Sequence, residues 1–253
     1  MSLDLNTLLQ DWPHESGSIK VRKILGLDGR EKLQLRIDLG ILQMEMTGRP
    51  DGDRPHNCES LLSYHQRRAA RAEARDEEYE LTADQCGELQ QEGIQYYHRY
   101  LSLFQLNDFA GVIRDTQRNL DLFQFVADHT DREELGWSFQ QFRPYVLMMN
   151  TRAKASILLG DGKFPDAMRE IEAGRDAIHD FFQQSNFPEL AQKSSEIGFL
   201  DEWLDEVSSK RPLSKLEIMQ REMETAIASE LYERAAELRD AIKLLQRNPA
   251  ARV

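Results

Sequence analysis

The chain has 253 residues, enough for one large domain or two to three small ones with a buried core. Its 32 Lys and Arg against 44 Asp and Glu give a formal charge of −12 and a pI near 5.1, a balance that opposes the phosphate backbone at long range and disfavours nucleic acid as a partner. Mean hydropathy is −0.61, no apolar run approaches the roughly 20 residues needed to span a bilayer, and two cysteines are too few for a disulfide scaffold; a cytoplasmic protein without membrane contact is expected.

The opening MSLDLNTLLQDWPHE carries acids and no cationic segment ahead of an apolar run, so a cleaved secretory leader is not expected. Residues 18–46 alternate apolar and polar: Ile19, Val21 and Ile24, then Leu33, Leu35 and Ile37, then Ile41, Leu42, Met44 and Met46. Asp28-Gly29 separates the first two runs as a tight primed turn would, and Asp38-Leu39-Gly40 supplies the next reversal. The period predicts a three-stranded antiparallel meander over 1–57 that must lay its apolar face on helices, followed by an exposed loop, TGRPDGDRPHN.

From 58 to 207 the period becomes helical. Arg67, Arg68, Arg71 and Arg75 precede Asp76, Glu77 and Glu78, so the first helix is expected to be solvated and paired with its own acids. Two later stretches share a pattern. A helix ends in an apolar cluster (Leu103, Phe104, Leu106; Ile157, Leu158, Leu159), a turn follows (Asn107-Asp108; Gly160-Asp161-Gly162), and the next helix opens with Phe109-x-x-Val112 or Phe164-x-x-Ala167. This pattern resembles the tetratricopeptide helical hairpin, with the interval lengthened by an additional helix near 132–143. Phe181, Phe182, Phe187, Phe199, Trp203 and Leu204 follow at helical spacings and are expected in the core, while the helical His98 and His179 are expected as partly buried packing residues.

VSSKRPLSK, 207–215, reads as a linker because Pro212 interrupts a helix. Residues 208–253 then hold two amphipathic helices. One face of the first carries Leu216, Met219, Met223 and Ile227; one face of the second carries Tyr232, Ala235, Leu238, Ile242 and Leu245. ASEL between them is a reversal, so the faces close into an antiparallel hairpin, a unit that buries little when alone. Tyr232-Glu233-x-Ala235-Ala236-x-Leu238-Arg239-Asp240-x-Ile242, after Leu216, Met223 and Ala226, is similar to the UVR motif, the C-terminal helical hairpin of the excision-repair subunit UvrB, found also in UvrC, the stress adaptor McsA and Clp-type chaperone ATPases. The resemblance implies a protein-docking module that meets a partner hairpin to hairpin. It also implies close helix approach at Ala235 and Ala236 and charge-assisted contacts from Arg239 and Asp240.

Outside that hairpin the chain departs from each of those proteins. It has no G-x-x-x-x-G-K-[ST] phosphate loop, no paired C-x-x-C motifs, no nucleophile elbow and no H-E-x-x-H. His56, Cys58 and His65, with Cys86 farther on, include zinc-ligand types at an irregular spacing, and no metal, cofactor or catalytic residue is assigned. The expectation is a mainly α protein with a small antiparallel β part (α+β): a helical-repeat-like body and a C-terminal helical hairpin. Its expected function is that of a non-catalytic bacterial adaptor, bound to a UVR-containing protein, a chaperone-protease or a second copy of itself in a homodimer. The alternative is a DNA-associated repair factor touching nucleic acid through the meander or the Arg67–Arg75 helix.

Overall fold

The computed structural model describes residues 4–185, 187–213 and 215–247. Among these, helix α1 (Asn6–Leu9) precedes strands β1 (Lys20–Leu25), β2 (Glu31–Ile37) and β3 (Gly40–Glu45), and a 3-10 turn at Pro55–Asn57 leads into the helices. These are α2 (Leu61–Glu73), α3 (Ala83–Gln105), α4 (Phe109–Asp128), α5 (Glu133–Gln140), α6 (Arg143–Gly160), α7 (Phe164–Gln184), α8 (Pro188–Ala191), α9 (Ser195–Lys210), α10 (Lys215–Ala228) and α11 (Tyr232–Arg247). The chain is thus mainly helical with one small antiparallel sheet, the α+β class its periodicities predict. No helix of the described residues is long and apolar enough to cross a membrane.

The chain divides into two compact units, Met1–Leu204 and Asp205–Val253. The sequence places a boundary at 57/58, but strands and helices share the first unit, and the division near 207 falls inside α9. Val207 through Lys210 are therefore helical, which shortens the expected linker to the residues around Pro212; Ser214 and residues 248–253 lie outside the described residues.

The sheet runs β1-β2-β3, antiparallel throughout, with Val21 opposite Leu35, Leu33 opposite Met44 and Leu35 opposite Leu42. Leu33, Leu35 and Met44 are buried, and β1 and β2 pack on α3, so the apolar parity is spent on the helical body. The first reversal is wider than the tight primed turn that Asp28-Gly29 suggests. Gly26 donates to the Arg30 carbonyl at 2.8 Å, enclosing three residues, with Gly29 at φ +75°.

Helix packing proceeds α3 on α4, α4 on α6 and α6 on α7, with α5 leaning on α4 and α3. The two turns noted in the sequence are built alike. At Leu106–Asp108, Asp108 N–H reaches the Leu103 carbonyl (2.9 Å) and Asn107, at φ 57°, donates to Phe104 (3.0 Å). At 161–163, Lys163 N–H reaches Leu158 (2.8 Å) and Gly162, at φ 73°, donates to Leu159 (3.0 Å). Both are Schellman closures, which require one left-handed residue after the helix and so select Asn or Gly there. Between α6 and α7 the approach is close: a Cβ on Gly174 would lie 2.0 Å from Thr151 Oγ1. The inserted helix expected near 132–143 is α5.

A buried charge network, absent from the sequence reading, joins the sheet to the helices. Arg99 binds Asp115 through two hydrogen bonds (Nε–Oδ2 2.6 Å, Nη2–Oδ1 2.9 Å), both residues being within 1% of complete burial. Its third nitrogen donates to the carbonyls of Glu45 (3.1 Å), the last residue of β3, and of Gly48 (2.7 Å), just beyond it. Glu92, also fully buried, accepts from Leu61 N–H (2.7 Å), Leu62 N–H (3.2 Å) and Arg118, with Arg49 at 3.4 Å. That carboxylate satisfies two orphan donors at the start of α2 and places negative charge on the positive end of the helix.

Two expectations for the body are corrected. Arg67, Arg68, Arg71 and Arg75 are exposed, but none makes an ion pair among the described residues; Arg68 lies over the Tyr79 ring at 5.2 Å and Arg67 donates to Cys58 Sγ at 3.5 Å. The following acids are carried past the helix end, where Asp76 turns left-handed at φ 58°. Of the expected core aromatics Phe182 is buried, but Phe187 and Phe199 are exposed; His98 is half-buried as expected, whereas His179 is exposed on α7. The body's supply of apolar area exceeds what its helix contacts cover.

Candidate protein-docking hairpin

Helices α10 and α11 pack on each other and leave the chain's second unit as a helical hairpin. The reversal is again a Schellman closure. Leu231 N–H reaches the Ala226 carbonyl at 2.8 Å, Glu230 N–H reaches Ile227 at 3.0 Å, and Glu230 adopts φ 59°. Here a glutamate occupies the left-handed position that glycine fills more easily.

The inner seam is built from small and aliphatic residues. Ala226, Ala235, Leu238 and Ile242 are buried, and Leu216, Met219, Met223, Ala236 and Leu245 are partly so. Ala226 and Ala235 are the small buried pair, one from each helix, that lets two backbones come close; Ala236, the second alanine of the expected pair, is only partly covered. Ile227 and Tyr232 do not join the seam and are 50% and 66% exposed. From Met223 the helical period continues equally to 226 or 227, and hydrophobicity alone favours the isoleucine, whereas the packing selects the smaller side chain.

Those two residues instead belong to an exposed apolar set with Ile218, Leu231 and Leu244. A shallow groove on the hairpin is lined by Leu213, Ile218, Leu231 and Leu238, with Arg221, Glu222 and Arg234 among its polar residues. Arg234 sits 2.9 Å from Glu237 and 4.0 Å from Glu222 across the hairpin. Arg239 and Asp240 pair with each other at 3.0 Å, both well exposed; the guanidinium holds the Asp240 carboxyl below its ordinary range. They therefore remain at the surface and contribute nothing to the seam. Ile218, Leu231 and Leu244 are exposed apolar residues that the two rows read from the sequence do not include. Their signal was a second apolar row off the seam, on helices whose first row already accounts for the fold.

The side chains weighed as metal ligands are dispersed by the fold. His56 stacks on Tyr64 (centroids 4.0 Å apart), Cys58 Sγ donates to the His56 carbonyl (3.6 Å), and His65 Nδ1 lies 2.6 Å from the Tyr79 hydroxyl. Cys86 is buried in the core beside Leu89 and Val126, and burial pushes its thiol upward. Among the described residues no group of three or more His, Cys, Asp and Glu is arranged to hold a metal ion.

No curated protein and no solved structure matches this chain. The profile of the UVR family, the UvrB/uvrC motif, matches residues 214–248, the span of α10, the Glu230 turn and α11. The hairpin over residues 214–248 of this chain is therefore a UVR motif.

Proposed function

We propose that this protein is a non-catalytic adaptor that docks another protein through its UVR hairpin, and that the bound surface of the partner is a second helical hairpin of the same kind. The observation that carries the reading is the division of labour on the hairpin. One apolar row closes the seam, while Ile218, Ile227, Leu231, Tyr232 and Leu244 stay exposed on a unit too small to bury them itself. Groove charges of both signs, Arg221 and Arg234 against Glu222, suit a partner that also presents both signs, as a hairpin of this family or a second copy of this chain does.

The test is capture of a partner from native lysate with the full chain and with the double variant Ile218→Glu, Leu231→Glu, while light scattering reports mass in solution. Loss of a specific partner or of a dimer, with helicity retained, is the expected result, and the identity of that partner assigns the adaptor to excision repair or to a Clp-type chaperone-protease. Unchanged partners and unchanged mass overturn the reading.

A further inference from the structure

The helical body holds a partly open pocket of about 410 Å³ between α3, α4, α5 and α6. Helices α3 and α6 open the two hairpin units of the body, and α5, the element inserted between those units, contributes Ser138 and Phe139 to the cavity wall, with Phe142 just beyond its end. Helix α5 thus forms one wall of a pocket that stays partly open to solvent, where the lining residues Ile94 and Phe142 are exposed.

The wall chemistry is specific. Phe123, Phe139, Phe142 and Val146 supply apolar faces, and Tyr97, Tyr100 and Tyr145 cluster on one side, Tyr97 lying 5.5 Å from Tyr100 at 90° and 6.3 Å from Tyr145 between ring centroids. None of the three phenol hydroxyls makes a hydrogen bond among the described residues, although Tyr100 is only 1% exposed. Their hydroxyls are therefore free to donate to a molecule held in the pocket. No Lys, Arg, Asp or Glu lines the cavity. Burial raises Tyr100 and Tyr145, each further raised by a neighbouring tyrosine, and lowers His98, so the phenols stay protonated and the imidazole stays neutral near pH 7.

We infer that this cavity is a binding site for a small, uncharged, largely aromatic or aliphatic molecule that carries a hydrogen-bond acceptor for the tyrosine cluster. The volume falls in the range of small-ligand sites, roughly 300–1,000 Å³, and apolar walls with a few convergent polar groups are the usual composition of such sites. A charged ligand would lose its hydration without gaining a counter-charge. The inference is independent of the hairpin: its residues lie between 90 and 146.

The test uses the full chain and uncharged N-phenyl-1-naphthylamine as the probe, followed by its fluorescence. Saturable one-to-one binding is expected, weakened at least tenfold by Ser138→Phe and by Gln90→Phe, which fill the cavity from α5 and from α3, with unchanged circular dichroism. The hairpin variant Leu231→Glu should bind the probe as the parent does, which separates this result from the docking reading. Absence of saturable binding, or equal affinity in both filled variants, overturns the site. So does displacement of the probe by an acetylated Phe-containing hexapeptide at lower concentration than by free indole, since that outcome assigns the cavity to a partner's side chain.

Discussion

Asp115 illustrates how much a single buried carboxylate carries when every neighbour depends on it. Its two oxygens hold Arg99, and Arg99 in turn holds the backbone leaving β3. Removing one partner of such a pair leaves an uncompensated buried charge, so Asp115→Ala is expected to cost about 3–5 kcal/mol in urea unfolding and to loosen 45–48 first in hydrogen exchange. His65 makes stability depend on pH. Burial, reinforced by the positive Arg68 and by His56, lowers it from an ordinary 6.5 to about 4. Between those values the unfolded chain binds a proton that the folded chain refuses. Stability is therefore full above about pH 6.5 and falls as the pH drops toward 4, by on the order of 2–3 kcal/mol, and His65→Phe should flatten that slope in urea midpoints measured at pH 7 and pH 5.

At the scale of elements, the turns and the helix contacts make opposite demands on small residues. Glu230 closes the hairpin in a left-handed conformation, so Glu230→Gly is expected to raise hairpin stability by about 1 kcal/mol, read from the thermal transition of α10 and α11 by circular dichroism. Gly174 has ordinary helical geometry, and its smallness serves the approach of α6. Gly174→Ala is expected to destabilise by roughly 1–3 kcal/mol, because its methyl would collide with the Thr151 side chain, and a Thr151→Ala, Gly174→Ala double variant, which removes Oγ1 and Cγ2, should recover part of the loss. Both effects come from backbone geometry that residue types only permit.

For the whole molecule, the division into two units sets the expected behaviour on truncation. A chain ending at Lys210 retains the body and should unfold at a midpoint close to that of the full chain, while losing whatever partner or self-association the hairpin provides. Calorimetry of the two chains checks the first statement and light scattering the second. A midpoint lowered by many degrees would mean that the hairpin stabilises the body. The net charge of −12 argues in the same direction for nucleic acid: retention on DNA is expected to be absent at low salt despite the exposed arginines of α2.

The meander, the two turns, the inserted helix and the hairpin were all legible in the chain, because each is encoded by neighbours within a few residues. Alternation of period two, a helical period, and Asp, Asn or Gly at a left-handed position are local signals, and the UVR pattern is a contiguous one. What the tertiary structure decided is non-local. Glu92 with Leu61, Arg99 with Gly48 and Asp115, and Tyr97 with Tyr145 are pairs separated by long stretches of chain, and nothing in their local patterns marks one as the partner of the other. The choice of Ala226 over Ile227 for the seam, and the walling of a pocket by α5, likewise depend on how bodies of fixed shape fill space. Sequence periodicity states which face of an element is apolar; only packing determines which other face it meets and what is left uncovered.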